Sequence, residues 1–265
     1  MKILALESYF GGSHKAFLEG WIARSRHDWT LLTLPPRKWK WRMRHSAITF
    51  AGQVNKLWNK RREWDLVVCS DMLDLAGFRG LTVPRTARIP AVAYFHENQL
   101  TYPVLQKSEF DYHFAFSNLT TALCADRVWF NSAFHRDSFL KALKKFLKRM
   151  PDHRPLKEVD SIREKSQIRY PPIERFPARP SRRAGPLRIL WAARWEYDKR
   201  PDIFFKALKI LEGEGVEFRI SVVGGGNARH VLPVFNEAKA PLKKKDNDTA
   251  MTLAQSAKEL AEKTE

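Results

Sequence analysis

The sequence predicts an α/β protein: a doubly wound parallel sheet in its N-terminal part, followed by a second α/β unit that reads as incomplete. Three observations carry that expectation. Short apolar runs alternate with helix-patterned segments from residue 2 to residue 149, the order that builds parallel sheets. The runs are too continuously apolar to leave one sheet face wet. The residues with chemistry in them follow the runs directly, and in such sheets ligands bind at the carboxyl ends of the strands.

Taken in order, "KILALE" (2–7) reads as the first strand and His14–Arg24 as the first helix. Between them stands "SYFGGSH", where Gly11 and Gly12 would let backbone N–H groups approach an anion at a helix N-terminus. The alternative is a tight strand-to-helix turn capped by Ser13. The spacing is neither a Walker loop nor Gly-x-Gly-x-x-Gly. "WTLLTL" (29–34), "DLVVCS" (65–70), "AVAYFH" (91–96) and "RVWFNS" (127–132) are the next strands, separated by helices near 46–61, 73–81 and 111–123. Residues 132–149 give the clearest helix. Ser132 stands at its cap, Phe139, Leu143, Phe146 and Leu147 on one face, and Lys141, Lys144, Lys145, Lys148 and Arg149 on the other.

The stretch 151–186 is rich in proline and charge and reads as a connection, with "SQIRYPPI" a last short strand. This places the first domain at 1–173, a linker at 174–186 and a partial second domain at 187–265. The second opens as strand, loop, helix, strand and Gly-rich turn, then continues as a helix near 229–239 and a polar helix near 249–263. Two strands make a poor core and leave a sheet edge needing cover.

Composition narrows the class. With 47 Lys and Arg against 29 Asp and Glu, the net charge of +18 favours a polyanionic partner. Cys69 and Cys124 are the only cysteines, which excludes a disulfide framework and a zinc cluster. No apolar run reaches the length of a membrane span, and the opening is too short and too soon acidic for a signal peptide. The expectation is a cytoplasmic protein. "PPRKWKWRMRH" (35–45) reads as a basic loop in which Arg37, Lys38, Lys40, Arg42 and Arg44 interleave with Trp39 and Trp41. Cations there can meet phosphates while indoles stack on unpaired bases.

"ILALESYFGGSHKAFLEGW", "DMLDLAGFRGL" and "AYFHENQLTYP", followed later by "WAARWEYDKRPD", resemble the two-domain (GT-B type) retaining glycosyltransferases. The first three resemble the tRNA-queuosine α-mannosyltransferase family in particular. The resemblance covers roughly residues 1–235. It implies GDP-mannose as donor, queuosine-bearing tRNA as acceptor, no metal and no other cofactor, and a cleft between two α/β domains. It implies that Arg194 and Lys199, with Gly11 and Gly12, meet the donor, and that His96 contacts the donor sugar near the reacting carbon. Ser13, His14, Glu97 and Asn98 would stand toward the acceptor. A leaving diphosphate gains negative charge, so without a metal it needs fixed cations and N–H donors. The family's complete enzymes continue for several strands and carry a late Glu-x(7)-Glu pair, which does not follow Gly224. Two other readings remain at this stage: a non-catalytic RNA-binding remnant, and a transferase for a lipid or glycan acceptor.

Overall fold

Alternating apolar runs and helical patterns fold as the sequence orders them. In the computed structural model, the described residues are 1–58, 63–103, 111–173, 185–194 and 197–224. They fall into two units, one of Met1–Tyr102 with Gln106–Arg175, the other of Pro103–Leu105 with Phe176–Glu265.

The first unit holds β1 (Lys2–Glu7), α1 (Gly12–Ala23), β2 (Asp28–Thr33), α2 (Trp39–Trp58), β3 (Leu66–Ser70), α3 (Leu75–Leu81), α4 (Pro84–Ala87), β4 (Ala91–Phe95), α5 (Tyr112–Cys124), β5 (Arg127–Phe130), α6 (Ala133–Leu147), α7 (Lys157–Glu164) and β6 (Ser166–Ile168). Its six strands are all parallel, in the order β2-β1-β3-β4-β5-β6. The order reverses between β1 and β3, which makes that gap the topological switch point.

Side chains alternate across the sheet. Leu4, Leu6, Val67, Cys69, Phe95 and Phe130 face the main core, where α2, α3, α5, α6 and α7 bury Phe50, Phe78, Leu119, Phe139 and Ile162 against them. The opposite face takes α1, with Phe17 stacked on Tyr94 at 4.2 Å and Trp21 against Trp29 and Trp129 at 5.1 and 5.5 Å. The covered strands explain why β1, β3 and β4 are unbroken apolar runs. On α6, Ser132 caps by accepting from the His135 N–H at 3.1 Å, and the apolar face expected of it is buried.

Three local expectations are corrected. The basic segment 35–45 is not a loop throughout: α2 begins at Trp39, its first turn closed on the Lys38 carbonyl by the N–H groups of Trp41 and Arg42. The apolar stripe Trp39, Met43, Ala47, Phe50, Val54 was hidden among the cations. Ser13 does not cap α1; Gly11 holds the cap position, and no side chain caps the helix. A helix, α7, lies inside the proline-rich stretch, where only Val159 and Ile162 bury and so gave a faint period.

The second unit holds β7 (Leu187–Ala192), a 3-10 turn (Tyr197–Lys199), α8 (Pro201–Gly213) and β8 (Phe218–Val223). β7 and β8 pair in parallel. α8 buries Ile203, Ala207, Leu208 and Leu211 with Ile189 and Phe218 packed against them, while Leu190, Val222 and Val223 are exposed. The helices expected at 229–239 and 249–263, and linker positions 174–184, lie outside the described residues. Among the described residues, no helix is long and apolar enough to cross a membrane.

Candidate functional site

Four strand ends bring the site together. β1 ends on Glu7, β3 on Ser70 with Asp71 next, β4 on Phe95 with His96 next, and β5 on Phe130 with Asn131 next. Glu7 is only 3% exposed, so its charge requires partners. Its Oε1 accepts from the Tyr9 N–H at 2.9 Å and the Ser70 hydroxyl at 3.0 Å. His14 Nδ1 stands 3.3 Å from the same oxygen, off the line of a good hydrogen bond, so the attraction is that of an ion pair.

Burial works against a proton on His14, but Glu7, with the charges of Asp71 and Glu97, overcomes it and raises the imidazole from 6.5 to about 9. The His14 ring lies on the His96 ring, centroids 4.0 Å apart and planes tilted by 31°. His96 is driven the other way. Burial, then the charge of His14 and that of His135, holds it well below the usual imidazole range. The site therefore pairs an imidazolium with a neutral imidazole.

His96 is fixed through its backbone. Its N–H donates to Asp71 Oδ1 at 2.8 Å, and its carbonyl accepts from Asn131 Nδ2 at 2.8 Å. Asp71 is fully buried, and its own carbonyl accepts from Asn118 Nδ2 at 3.1 Å. Burial raises the Asp71 carboxyl, opposed by the charge of His14. Its Oδ2 is a buried oxygen with no hydrogen-bond partner. A small crevice, with room for about one water, is lined by Glu7, Phe17, Cys69, Ser70, Tyr94 and His96 among others.

The loop before α1 is pressed close. A Cβ on Gly11 would stand 2.5 Å from Pro36 Cβ, and Gly12 has φ +53° with open space around it. Both positions need glycine, the first for approach and the second for backbone sign. With no side-chain cap, the first N–H groups of α1 remain available to a ligand.

The structure distributes the expected residues unevenly. His14 and His96 meet, with Gly11, Gly12 and Ser13 in the loop and first turn leading to them. Glu97 is half-buried beside them. Asn98 is buried, its Oδ1 accepting from the N–H groups of Leu100 and Thr101 at 3.1 and 2.9 Å, so its side chain shapes its own loop. Arg194 and Lys199 belong to the second unit, in the loop between β7 and α8, where Lys199 Nζ stands 2.7 Å from Asp198 Oδ2. Of the basic segment, Trp39 is half-buried, 5.3 Å from Phe114, whereas Trp41 is 58% exposed. Arg42 donates to the Pro35 carbonyl at 3.1 Å; Arg37, Lys38, Lys40 and Arg44 are exposed.

Sequence reasoning missed Glu7 and Asn118. A carboxylate closing an otherwise apolar strand was the available signal for Glu7. Nothing local marks Asn118, whose partners are 47 and 19 residues away. Glu7, His14 and His96 also offer three ligand atoms within 4.8 Å of one another, but a divalent ion there would have to displace the proton that Glu7 holds on His14.

Comparison with known proteins bears on this site. The model of the tRNA-queuosine alpha-mannosyltransferase N-terminal family matches residues 2–173. The chain is 35% identical over 234 residues to the tRNA-queuosine alpha-mannosyltransferase of Drosophila melanogaster, covering 84% of this chain and 61% of that protein. Among solved structures, the lipopolysaccharide outer core galactosyltransferase WaaB in its apo form is similar with a TM-score of 0.52 at 13% identity, covering 90% of this chain and 65% of that one. At that identity the likeness shows the fold alone.

Proposed function

The chain belongs to the tRNA-queuosine alpha-mannosyltransferase family, and from that premise we propose that it transfers mannose from GDP-mannose to queuosine in cytoplasmic tRNA, with retention at the sugar carbon. The observation that carries the reading is the convergence of Glu7, His14, Asp71 and His96 at the switch point of the parallel sheet, inside the segment that the family shares. There the held, neutral ring of His96 can contact a sugar without acting as a base.

The chemistry needs no side-chain base. A queuosine hydroxyl oxygen bonds to the anomeric carbon on the face the diphosphate leaves, the carbon–phosphate-oxygen bond breaks, and the hydroxyl proton passes to the departing phosphate oxygen. Positioning then dominates the barrier. The imidazolium of His14 behind His96 and the uncapped N–H groups at the head of α1 favour negative charge nearby. Arg194 and Lys199 are the cations proposed for the donor diphosphate, in place of a metal. Ser13 and Glu97 are proposed to contact the acceptor, and Arg37, Lys38, Lys40, Trp41 and Arg44 the anticodon arm. Arg42, Trp39 and Asn98 shape the protein that presents them.

The test is nucleoside mass spectrometry of queuosine-bearing tRNA after incubation with the purified chain and GDP-mannose, with the longer Drosophila relative in parallel. A hexose gain on queuosine is expected. No gain, with the relative active, overturns the reading and makes this chain a tRNA-binding protein without transfer.

A further inference from the structure

Beyond the strand-end site, three helices of the first unit share a surface of aromatics and cations. Near the head of α2, Trp41 and Arg44 are exposed. Arg44 pairs with Asp111, the N-cap of α5, at 2.6 Å and stands 4.9 Å over the Phe114 ring. Just past that cap, Tyr112 and Phe116 are 46% and 40% exposed, one helical turn apart on the same face. Both rest on Phe146 of α6, at 5.7 and 5.1 Å between ring centroids. Arg149, just after α6, then donates from Nη2 to the Tyr112 hydroxyl at 3.4 Å.

Lys141, Lys145 and Arg149 are exposed and recur every four residues, a ridge about 12 Å long at 1.5 Å per residue. Lys144 and Lys148 form the next ridge, and no acidic residue lies between 141 and 149. Asp137, one turn earlier, is engaged with Arg136 at 2.9 Å. Like charges four residues apart repel weakly, and no acidic residue within 141–149 relieves them, although Lys144 and Lys145 in the last turn also complement the helix dipole. Here the repulsion is retained, and it borders two exposed rings that solubility does not require.

We propose that this α5–α6 border is a second RNA contact, on which phosphates follow Lys141, Lys145 and Arg149 while Tyr112 and Phe116 stack on exposed bases, extending the surface that Trp41 and Arg44 begin on α2. That the RNA is tRNA rests on the function proposed above. Cations supply the salt-sensitive part of such binding, and aromatic faces supply the sequence-tolerant part.

The experiment titrates queuosine-bearing tRNA into the full chain between about 50 and 200 mM salt. For the double variant Lys145→Ala and Arg149→Ala, the salt slope is expected to shrink by about 1.5 to 2, with a roughly tenfold weaker Kd near the middle of that range. Tyr112→Leu with Phe116→Leu is expected to weaken binding about fivefold or more with the slope unchanged. Lys2→Ala with Arg26→Ala, removing equal charge at the start of β1 and in the turn before β2, serves as control and should change Kd less than about twofold. Equal behaviour of the α6 variant and the control overturns the proposal. So does retention by phosphatidylserine vesicles that tRNA cannot compete away. If the wild-type chain transfers no sugar while the α6 variant still loses tRNA affinity, the function fails and this surface stands. If transfer occurs and the variant binds normally, only this proposal fails.

Discussion

Replacing Glu7 by Gln isolates the ion pair at the heart of the site, because Gln keeps an oxygen for the Tyr9 N–H and the Ser70 hydroxyl and removes only the charge. His14 is raised from 6.5 to about 9. At ~1.4 kcal/mol per pH unit, that gap corresponds to about 3 kcal/mol of folding free energy. The sign follows from its being a base with a raised folded value. The stabilisation is complete below pH 6.5 and is lost as pH rises through about 9. Urea unfolding, followed by the fluorescence of the nine tryptophans, should show the stability gap between wild type and Glu7→Gln shrinking by about 3 kcal/mol from pH 6.5 to just above pH 9. Asp71 feels the charges of both Glu7 and His14 and titrates in the same window, so the comparison is made with Asp71→Asn in both proteins, which removes its contribution from the difference. A gap that stays constant with pH, or widens as pH rises, would refute the ion pair and with it the charged state assigned to His14.

Two further substitutions separate packing from contact. Gly12→Ala should cost about 1 to 2 kcal/mol through its left-handed backbone alone. Gly11→Ala should cost more, since its Cβ would meet Pro36; differential scanning calorimetry would show the two melting at the same temperature if the loop is not pressed as described. Trp39→Ala should destabilise the fold by about 2 to 3 kcal/mol with little direct effect on RNA. Trp41→Ala should leave the melting temperature unchanged and weaken tRNA binding several-fold. The reverse pattern in melting and binding assays would contradict the assignment of these two indoles.

Legibility in the sequence followed burial. β1, β3, β4 and β5 were readable because a strand covered on both faces is an unbroken apolar run. α6 was readable because its stripe and its cap coincide. The start of α2 was not, since Arg, Lys and Trp crowd the turn in which only Trp39 and Met43 point inward. α7 buries two residues, too few to set a period against its flanking prolines. At the site, Gly11, Gly12, His14 and His96 could be singled out because they follow strands. That His14 would be charged and His96 neutral could not, for it depends on Glu7, Asp71 and His135 arriving from other strands and helices. Asn118 shows the same limit: a mid-helix asparagine becomes informative only when Asp71 and Gln99 are beside it.

The most direct test of the central claim, that the strand-end site around His96 performs the transfer, compares His96→Ala with wild type in two assays on one preparation. Mannose transfer to queuosine-bearing tRNA is expected to fall by about a hundredfold or more, while tRNA affinity stays within about twofold, because the cations proposed to hold RNA lie on and just before α2 and along α6 to Arg149. Transfer at the wild-type rate, or loss of both activities in equal measure, would contradict the account.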